Sequence, residues 1–227
     1  MSRNGASTDR WALGRRRLYL CTPDRPDLEL FVGRCIAGGV DIVQLREKHL
    51  DDAALVRRAS VVQQVCTAEG VPFVLNDRPD LASSMGADGV HVGQDDLAAE
   101  AARDLVGDDA IVGLSTHAST ELTAALHGSP GVGPAPIDYL SAGPVVATPT
   151  KPGRAGTGTG YLTEAARRSP LPVWVTGGVT PEAVPGLVDA GARHFVVVRW
   201  LTEADDAEAA ARALRVSIDT ALAGTTT

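Results

Sequence analysis

The chain has 227 residues and a formal net charge of −7, so it is long enough for one domain with a large core. The acidic balance, with a pI near 5.2, argues against general binding to nucleic acids or to anionic membranes. Cys21, Cys35 and Cys66 are widely spaced and form no C-x-x-C pair, which indicates reduced thiols and neither a disulfide framework nor a zinc site. We therefore expect a cytoplasmic protein in which any phosphate site is a local basic pocket.

Both ends of the chain are predicted to be loosely held. Residues 1–16 are polar, run into a basic cluster at 15–17, and contain no apolar run of secretory-signal length. No apolar stretch approaches membrane-spanning length. We predict a flexible N-terminal extension over 1–16, a single catalytic domain over 17–222 and a frayed tail over 223–227.

From Arg17 onward, short β-branched runs alternate with longer segments rich in alanine and leucine. The runs predict strands over 18–22, 40–45, 72–76, 89–93, 110–115, 137–141, 172–176 and 194–198. Helices are predicted between them, among them 27–38, one from Asp51 or Asp52 to Gly70, one beginning near Pro79, 119–126 and 205–222. The strands are too continuously apolar to have a solvent face, which indicates a parallel sheet covered by helices. Eight such units favour a closed (β/α)8 TIM barrel over an open doubly wound sheet, and no G-x-G-x-x-G follows the first strand.

The stretch 41–48 begins as a strand and ends in charged and amide side chains. Because strand side chains alternate in direction, Gln44 and Arg46 are expected on one side, joined by Lys48 if the extended conformation persists. Two cations there need partners, since unpaired buried charges are costly. A phosphate-bearing ligand would supply them, and so would an internal salt-bridge network with Glu47 or with carboxylates on other strands.

In barrels of this kind the chemistry lies at the carboxyl ends of the strands. Polar and glycine residues follow nearly every predicted strand: 44–48, 76–78, 93–96, 115–117, 141–151, 176–178 and 199–200. This clustering favours a functional pocket over a purely structural network. The Gly/Pro/Thr-rich stretch 143–160 is predicted to be a long active-site loop.

Asp77 and Asp96 come just after neighbouring predicted strands, so their carboxylates are expected to face one point. Mg²⁺ is commonly bound by one or two carboxylates, with phosphate oxygens and water completing its shell. The alternative is that each aspartate caps the helix that follows it. For Asp95 we favour the cap or a solvent-exposed position.

The turn at 176–181 and two histidines complete the candidate site. Gly177 and Gly178 would let backbone N–H groups approach an anion, with Thr180 capping the next helix. His91 lies between valines and is predicted to be a lumen histidine with a satisfied partner, whereas His117 is nearer the mouth and within reach of a substrate. No Ser/His/Asp or Cys/His nucleophile set is visible in the sequence. The residues indicate an electrostatic clamp with a metal ion, suited to phosphoryl or pyrophosphate chemistry.

The chain resembles the thiamine phosphate synthase (thiamine-phosphate pyrophosphorylase) family over 17–222. The resemblance rests on the order and spacing of Q-L-R-E-K at 44–48, N-D-R at 76–78, D-G-V-H-V-G-Q-D-D at 88–96, G-L-S at 113–115, G-P at 143–144 with T-x-T-K at 148–151, and T-G-G-V at 176–179. It implies a (β/α)8 barrel that joins 4-amino-2-methyl-5-hydroxymethylpyrimidine diphosphate to 4-methyl-5-(2-phosphoethyl)thiazole. The products would be thiamine phosphate and pyrophosphate, with Mg²⁺ as cofactor.

The resemblance also implies roles for individual residues. Arg46, Lys48, Ser115 and Lys151 would carry the catalytic charge stabilisation, the first two together with Gln44 and Asn76 holding the pyrimidine diphosphate, and Ser115 and Lys151 contacting the pyrophosphate. Asp77 and Asp96 would bind Mg²⁺, and Thr148, Thr150 and Gly178 would serve the thiazole phosphate. One departure is Arg199, which stands where serine is common in the family; with Val198 it is assigned to the thiazole phosphate.

Two other functions remain open from the sequence. A thiazole tautomerase-like isomerase of the same fold needs acid/base residues and no diphosphate clamp, so Asp77, Asp96, Arg46 and Lys48 together speak against it. A non-catalytic barrel that binds phosphorylated ligands is disfavoured by the same set. The expected partners are small-molecule substrates, with a homo-oligomer possible through the outer helices.

Overall fold

A computed structural model describes residues 11–128, 133–148 and 155–225. Each strand pairs in parallel with the next, and the last pairs with the first, so the sheet closes into a barrel. The strands are β1 Leu18–Thr22, β2 Ile42–Leu45, β3 Phe73–Asn76, β4 Gly89–Val92, β5 Ile111–Thr116, β6 Tyr139–Ala142, β7 Val173–Thr176 and β8 His194–Val197. The predicted (β/α)8 TIM barrel is confirmed.

Helices follow the strands on the outside of the barrel. They are α1 Leu28–Ala37, α2 Asp52–Glu69, α3 Pro79–Met85, α4 Ala99–Val106, α5 Ser119–His127, α6 Gly158–Arg168, α7 Val184–Asp189, α8 Arg199–Thr202 and α9 Ala207–Ala223. Asp51 caps α2 by accepting a hydrogen bond from the Ala54 amide at 2.8 Å, and Gly70 ends it with φ 65°. Helix α7 starts later than predicted, because Thr180 caps a turn over 181–183 through the Ala183 amide instead.

The apolar residues divide between two layers. Most pack between the strands and the surrounding helices, including the predicted α2 stripe of Leu55, Ala59, Val62 and Cys66. A smaller cluster fills the barrel lumen and consists of Leu13, Tyr19, Ile42, Val74, Ile111, Tyr139 and Trp174. This lumen cluster closes the amino-terminal part of the barrel, so an open space remains only towards the carboxyl ends of the strands.

The predicted flexible extension over 1–16 is too long at its carboxyl end. Residues 13–15 form a 3₁₀ helix, Leu13 is 3% exposed, and Trp11 packs against the lumen cluster. Arg16 ties this segment to the barrel through the Asp41 carbonyl. The segment covers the lower end of the lumen, where apolar side chains would otherwise meet water. Sequence periodicity does not predict this segment, because its packing depends on residues far away in the sequence.

A buried ion pair lies near the lower end of the barrel. The Arg103 and Asp138 side chains are 5% and 10% exposed and meet at 2.5 Å. Asp138 also accepts from the Val112 amide at 2.8 Å, and Arg103 donates to four backbone carbonyls, three in the loop after α4 and that of Pro136 before β6. Burial of this pair is tolerated because its hydrogen-bonding capacity is used.

Cys21, Cys35 and Cys66 are all buried, and no disulfide joins any of them to another described residue. Among the helices of the described residues, none combines the length and apolar character needed to cross a membrane. The cytoplasmic location stays a prediction.

Candidate active site

A cavity of about 770 Å³ opens at the carboxyl ends of the strands. It brings together every predicted site residue that falls within the described ranges: Gln44, Arg46, Lys48, Asn76, Asp77, Asp96, Ser115, Thr148, Gly178, Val198 and Arg199. Thr150 and Lys151 lie outside the described residues, as does part of the predicted loop 143–160. The cavity is therefore where the sequence predicted a pocket.

Gln44, Arg46 and Lys48 all line the cavity. Strand alternation accounts for Gln44 and for Arg46 just past the end of β2, whereas Lys48 lies in a bend beyond the strand. Lys48 Nζ forms an ion pair with Asp77 Oδ2 at 2.8 Å. Glu47 turns away from the row and accepts hydrogen bonds from the amides of Lys48 and His49. Within the described part of the chain, the Arg46 guanidinium has no ion pair and no side-chain hydrogen bond. An internal salt-bridge network thus accounts for Lys48 but leaves Arg46 available for an anion.

Asp77 and Asp96 lie together at the cavity wall. Burial raises the pKa of Asp77, and the adjacent Asp96 carboxylate raises it further against the opposing effect of Lys48. Asp96 Oδ2 also accepts from the Gly93 amide at 2.8 Å. Two adjacent carboxylates repel each other when both are ionised, and a divalent cation between them relieves that repulsion.

The alternative that these aspartates cap helices is not supported. Helix α3 has Arg78 at its N-cap and α4 has Ala98, and neither helix receives a side-chain capping hydrogen bond. Asp77 instead has φ 61°, a left-handed conformation that costs about 1–3 kcal/mol for a non-glycine residue. This backbone turn directs the Asp77 carboxylate towards Lys48 and Asp96, and strain of this kind is typical of functional sites.

Among the described residues, no group of three or more His, Cys, Asp or Glu side chains converges as a complete metal site. The carboxylate pair therefore fits a cation that takes only one or two protein ligands. Mg²⁺ is such a cation, because it retains several waters and completes its octahedron with substrate phosphate oxygens. The all-oxygen donor set agrees with the same ion.

The cavity floor carries a series of buried polar side chains that are hydrogen-bonded to one another, of which the sequence predicted only His91. The two ring nitrogens of His91 lie 2.9 Å from Tyr139 Oη and 2.9 Å from Ser115 Oγ. Tyr139 Oη lies 3.0 Å from Tyr19 Oη, which in turn receives a hydrogen bond from Gln44 Nε2. Tyr19 and Tyr139 are functional candidates that sequence reasoning missed, because a tyrosine within an apolar strand is indistinguishable from an ordinary core residue.

His117 lines the cavity near its mouth, as predicted. Its Nδ1 lies 3.0 Å from Glu121 Oε2, and its backbone amide donates to the same oxygen at 2.7 Å. Gln94 Nε2 donates to the Ser115 carbonyl at 2.6 Å. Neither Gln94 nor Glu121 was predicted as a site residue, and both fix the backbone of residues that line the cavity.

The opposite side of the cavity is formed by the ends of β7 and β8. Gly177 and Gly178 have φ 87° and 77°, and a Cβ on Gly178 would come within 2.6 Å of Val146 Cγ2. Glycine is therefore favoured at Gly178 by its left-handed conformation, because the exposed Val146 side chain could move aside. Val198 is the N-cap of α8, which places the first amides of that helix beside the glycine turn.

Arg199, predicted to bind the thiazole phosphate, is paired with Glu203 in the structure. Its guanidinium forms a two-point ion pair with Glu203, at 2.8 Å and 3.2 Å, and the Arg199 side chain is 53% exposed. Arg199 and Glu203 both line the cavity rim. An anion here would meet backbone amides first, and Arg199 only by sharing it with Glu203.

A TIM barrel with cations, paired carboxylates and a glycine turn around one cavity defines an enzyme that handles phosphorylated small molecules. A family model described as thiamine monophosphate synthase matches residues 18–201. The thiamine-phosphate synthase of Arthrobacter sp. (strain FB24) is 42% identical over 93% of this chain and 98% of its own length. That of Thermobifida fusca is 43% identical over 92% and 94%. The chain belongs to the thiamine monophosphate synthase family and is a transferase with thiamine-phosphate synthase function.

Solved structures agree on the fold. A thiamine phosphate pyrophosphorylase from Pyrococcus furiosus superposes with a TM-score of 0.80 at 24% identity, covering 92% of this chain and 98% of its own. A 3-hexulose-6-phosphate synthase superposes with a TM-score of 0.63 at 22% identity, covering 89% and 99%. At these identities the likeness shows the shared barrel alone.

Proposed function

We propose that the protein joins 4-amino-2-methyl-5-hydroxymethylpyrimidine diphosphate to 4-methyl-5-(2-phosphoethyl)thiazole, giving thiamine phosphate and pyrophosphate. Family membership supports the overall reaction. The observation that supports this substrate pair is the Arg46 guanidinium, which has no ion pair with any described residue and lines the same cavity as the Asp77–Asp96 carboxylate pair. A diphosphate meets both, the guanidinium directly and the carboxylates through a cation.

The chemical step breaks the C–O bond between the pyrimidine methylene carbon and the diphosphate. Both electrons leave with the oxygen, and the 4-amino group of the pyrimidine ring stabilises the resulting cation. The lone pair of the thiazole nitrogen then forms the new C–N bond, so no proton transfer is needed for the balance. Charge on the departing pyrophosphate is what the protein must stabilise.

Arg46 and Lys48 bind the diphosphate oxygens in this proposal. Lys48 is held by Asp77 at 2.8 Å, so its ammonium is already positioned when the substrate arrives. The guanidinium of Arg46 offers a planar fork that suits two phosphate oxygens. Lys151 is proposed as a third cation at this end from the family resemblance.

Asp77 and Asp96 would hold Mg²⁺. When bound, the ion would neutralise charge on the phosphate oxygens and so favour departure of pyrophosphate. The two carboxylates and their unfavourable proximity without a cation support this assignment. Lys48 orients one of them, and the Gly93 amide orients the other.

The pyrimidine and the thiazole phosphate occupy the remaining space. Gln44 and Asn76 are 5% and 7% exposed on the cavity wall, so we place the pyrimidine ring against them. The Gly178 turn, the first amides of α8 after Val198, and Thr148 are proposed for the thiazole phosphate, with Thr150 added from the resemblance. Holding both rings in line in one pocket reduces the entropic part of the barrier.

The test is a product assay on the purified chain with both substrates, with either one omitted, and with Mg²⁺ or excess chelator. We expect one pyrophosphate for each thiamine phosphate, and no product when either substrate or Mg²⁺ is missing. Isomerisation of a thiazole carboxylate without pyrophosphate release would instead favour the tautomerase-like isomerase. Ligand binding with no turnover would contradict any catalytic role.

A further inference from the structure

An unbroken series of hydrogen bonds crosses the floor of the cavity. We call it the lumen chain, and its members in order are Cys21, Gln44, Tyr19, Tyr139, His91 and Ser115. The successive distances are 3.0, 3.2, 3.0, 2.9 and 2.9 Å. Gln44 and Ser115, on either side of the two tyrosines, both line the cavity, so the chain connects two proposed substrate contacts.

The direction of the lumen chain follows from counting its protons. Burial raises the pKa of both tyrosines, Tyr19 and Tyr139, well above the usual value, so each keeps its single proton. Tyr19 Oη accepts from Gln44 Nε2, and its only other partner in the described structure is Tyr139 Oη. The Tyr19 proton must therefore go to Tyr139, and the Tyr139 proton must go to His91 Nδ1.

His91 then has one protonation state that satisfies both Tyr139 and Ser115. With Nδ1 accepting from Tyr139, the ring proton lies on Nε2 and is donated to Ser115 Oγ. A proton on Nδ1, in the other neutral tautomer or in the imidazolium, would reverse the Tyr139 hydroxyl. Tyr19, which is 1% exposed, would then hold a buried donor with no acceptor, which is strongly disfavoured.

Ser115 is the last member of the lumen chain, and the tautomer of His91 determines the direction of its hydroxyl proton. Its Oγ accepts from His91, and the hydroxyl has no other protein partner among the described residues. Ser115 is 5% exposed and lines the cavity, so its own proton is directed at whatever occupies the pocket. A hydroxyl held in this way is a preorganised donor to an anionic oxygen.

We propose that Tyr19, Tyr139 and His91 are positioning residues that fix His91 as the Nε2–H tautomer and reserve the Ser115 proton for an oxygen of the leaving diphosphate. The diphosphate as acceptor rests on the proposed function, whereas the tautomer and the direction of the chain do not. The lumen chain thus extends the active site from the residues that contact substrate to Tyr19 and Tyr139 below the cavity.

The direct test is the tautomer of His91 in the purified wild-type protein labelled with ¹⁵N-histidine. His91 is one of five histidines and is assigned by loss of its signals in His91→Asn. We expect a pyrrole-type Nε2 and a pyridine-type Nδ1 from two-bond ¹H–¹⁵N correlations. A pyrrole-type Nδ1 would overturn the proposal whatever the enzymatic activity, and failure of the synthase reaction alone would leave this result standing.

The functional test is a double-mutant cycle between Tyr139→Phe and Ser115→Ala. Tyr139→Phe removes the donor to Nδ1, and we expect kcat to fall about tenfold while KM for the thiazole phosphate is unchanged. In the Ser115→Ala background the same change should have no further effect. Equal losses in both backgrounds, or no loss in either, would contradict the proposal.

Tyr161→Phe is the matched control, because Tyr161 is also a buried tyrosine but lies on α6, outside the cavity lining. It should keep wild-type kcat and the His91 signals of the wild type. Thermal unfolding of all variants distinguishes a loss of folding from a loss of hydrogen bonds within the lumen chain.

Discussion

Replacing Arg46 by alanine should reduce the reaction rate strongly while leaving the free energy of unfolding nearly unchanged. The Arg46 guanidinium lines the cavity and has no ion pair with any described residue, so its removal leaves no uncompensated buried carboxylate. The unfolding free energy should therefore change by no more than about 0.5 kcal/mol. Loss of one preorganised charge contact to the departing diphosphate costs about 2.7–4 kcal/mol, which is about a hundredfold to a thousandfold in rate.

The assay measures kcat and KM for each substrate in Arg46→Ala, together with the melting temperature. We expect a hundredfold or greater loss in kcat/KM for the pyrimidine diphosphate and little change in KM for the thiazole phosphate. Arg78→Ala is the control, because Arg78 follows β3 much as Arg46 follows β2, but it pairs with Asp52 and Asp80 and lies outside the cavity lining. Equal losses for both substrates, or wild-type turnover, would refute the placement of Arg46 at the diphosphate.

Three further changes probe other parts of the account. Because the pKa of Asp77 is raised in the folded protein, its ionisation destabilises the Mg²⁺-free protein as the pH rises through that pKa. Asp96→Asn should therefore raise the melting temperature at pH 7 without Mg²⁺ and abolish Mg²⁺-dependent synthesis. A lower melting temperature would contradict this. Gly178→Ala should raise KM for the thiazole phosphate and destabilise the protein by about 1 kcal/mol or more, since φ at Gly178 is 77°. Unchanged kinetics would remove the turn from the site. Asp138→Ala, which leaves a buried guanidinium unpaired, should cost about 3–5 kcal/mol in chemical denaturation but leave both KM values unchanged.

The barrel could be predicted from the sequence because the patterns that indicate its strands and helices are local and repeated. Apolar β-branched runs, a capping aspartate such as Asp51 and a helix-ending glycine such as Gly70 each act within a few residues, and all are found where predicted. The side of β2 that carries Gln44 and Arg46 is likewise set by local alternation. The sequence therefore predicts that the site lies at the carboxyl end of the barrel.

Features that depend on distant contacts were not predictable in the same way. The hydrogen bond between Tyr19 and Tyr139 spans 120 residues, and nothing near either tyrosine marks it as polar. The left-handed backbone of Asp77 is imposed by its surroundings, since aspartate itself tolerates but does not require it. Leu13 falls within the predicted flexible extension, yet it packs in the lumen cluster against residues far away in the sequence.

The central claim is that a diphosphate is held jointly by Arg46 and by Mg²⁺ on the Asp77–Asp96 pair. The most direct measurement is calorimetric titration of the purified protein with inorganic pyrophosphate, in Mg²⁺ and in excess chelator. The account predicts binding that requires Mg²⁺ in the wild type and is weakened at least tenfold in Arg46→Ala, by loss of a charged hydrogen bond of about 1.5–3 kcal/mol. Pyrophosphate affinity that is the same with and without Mg²⁺ would contradict it.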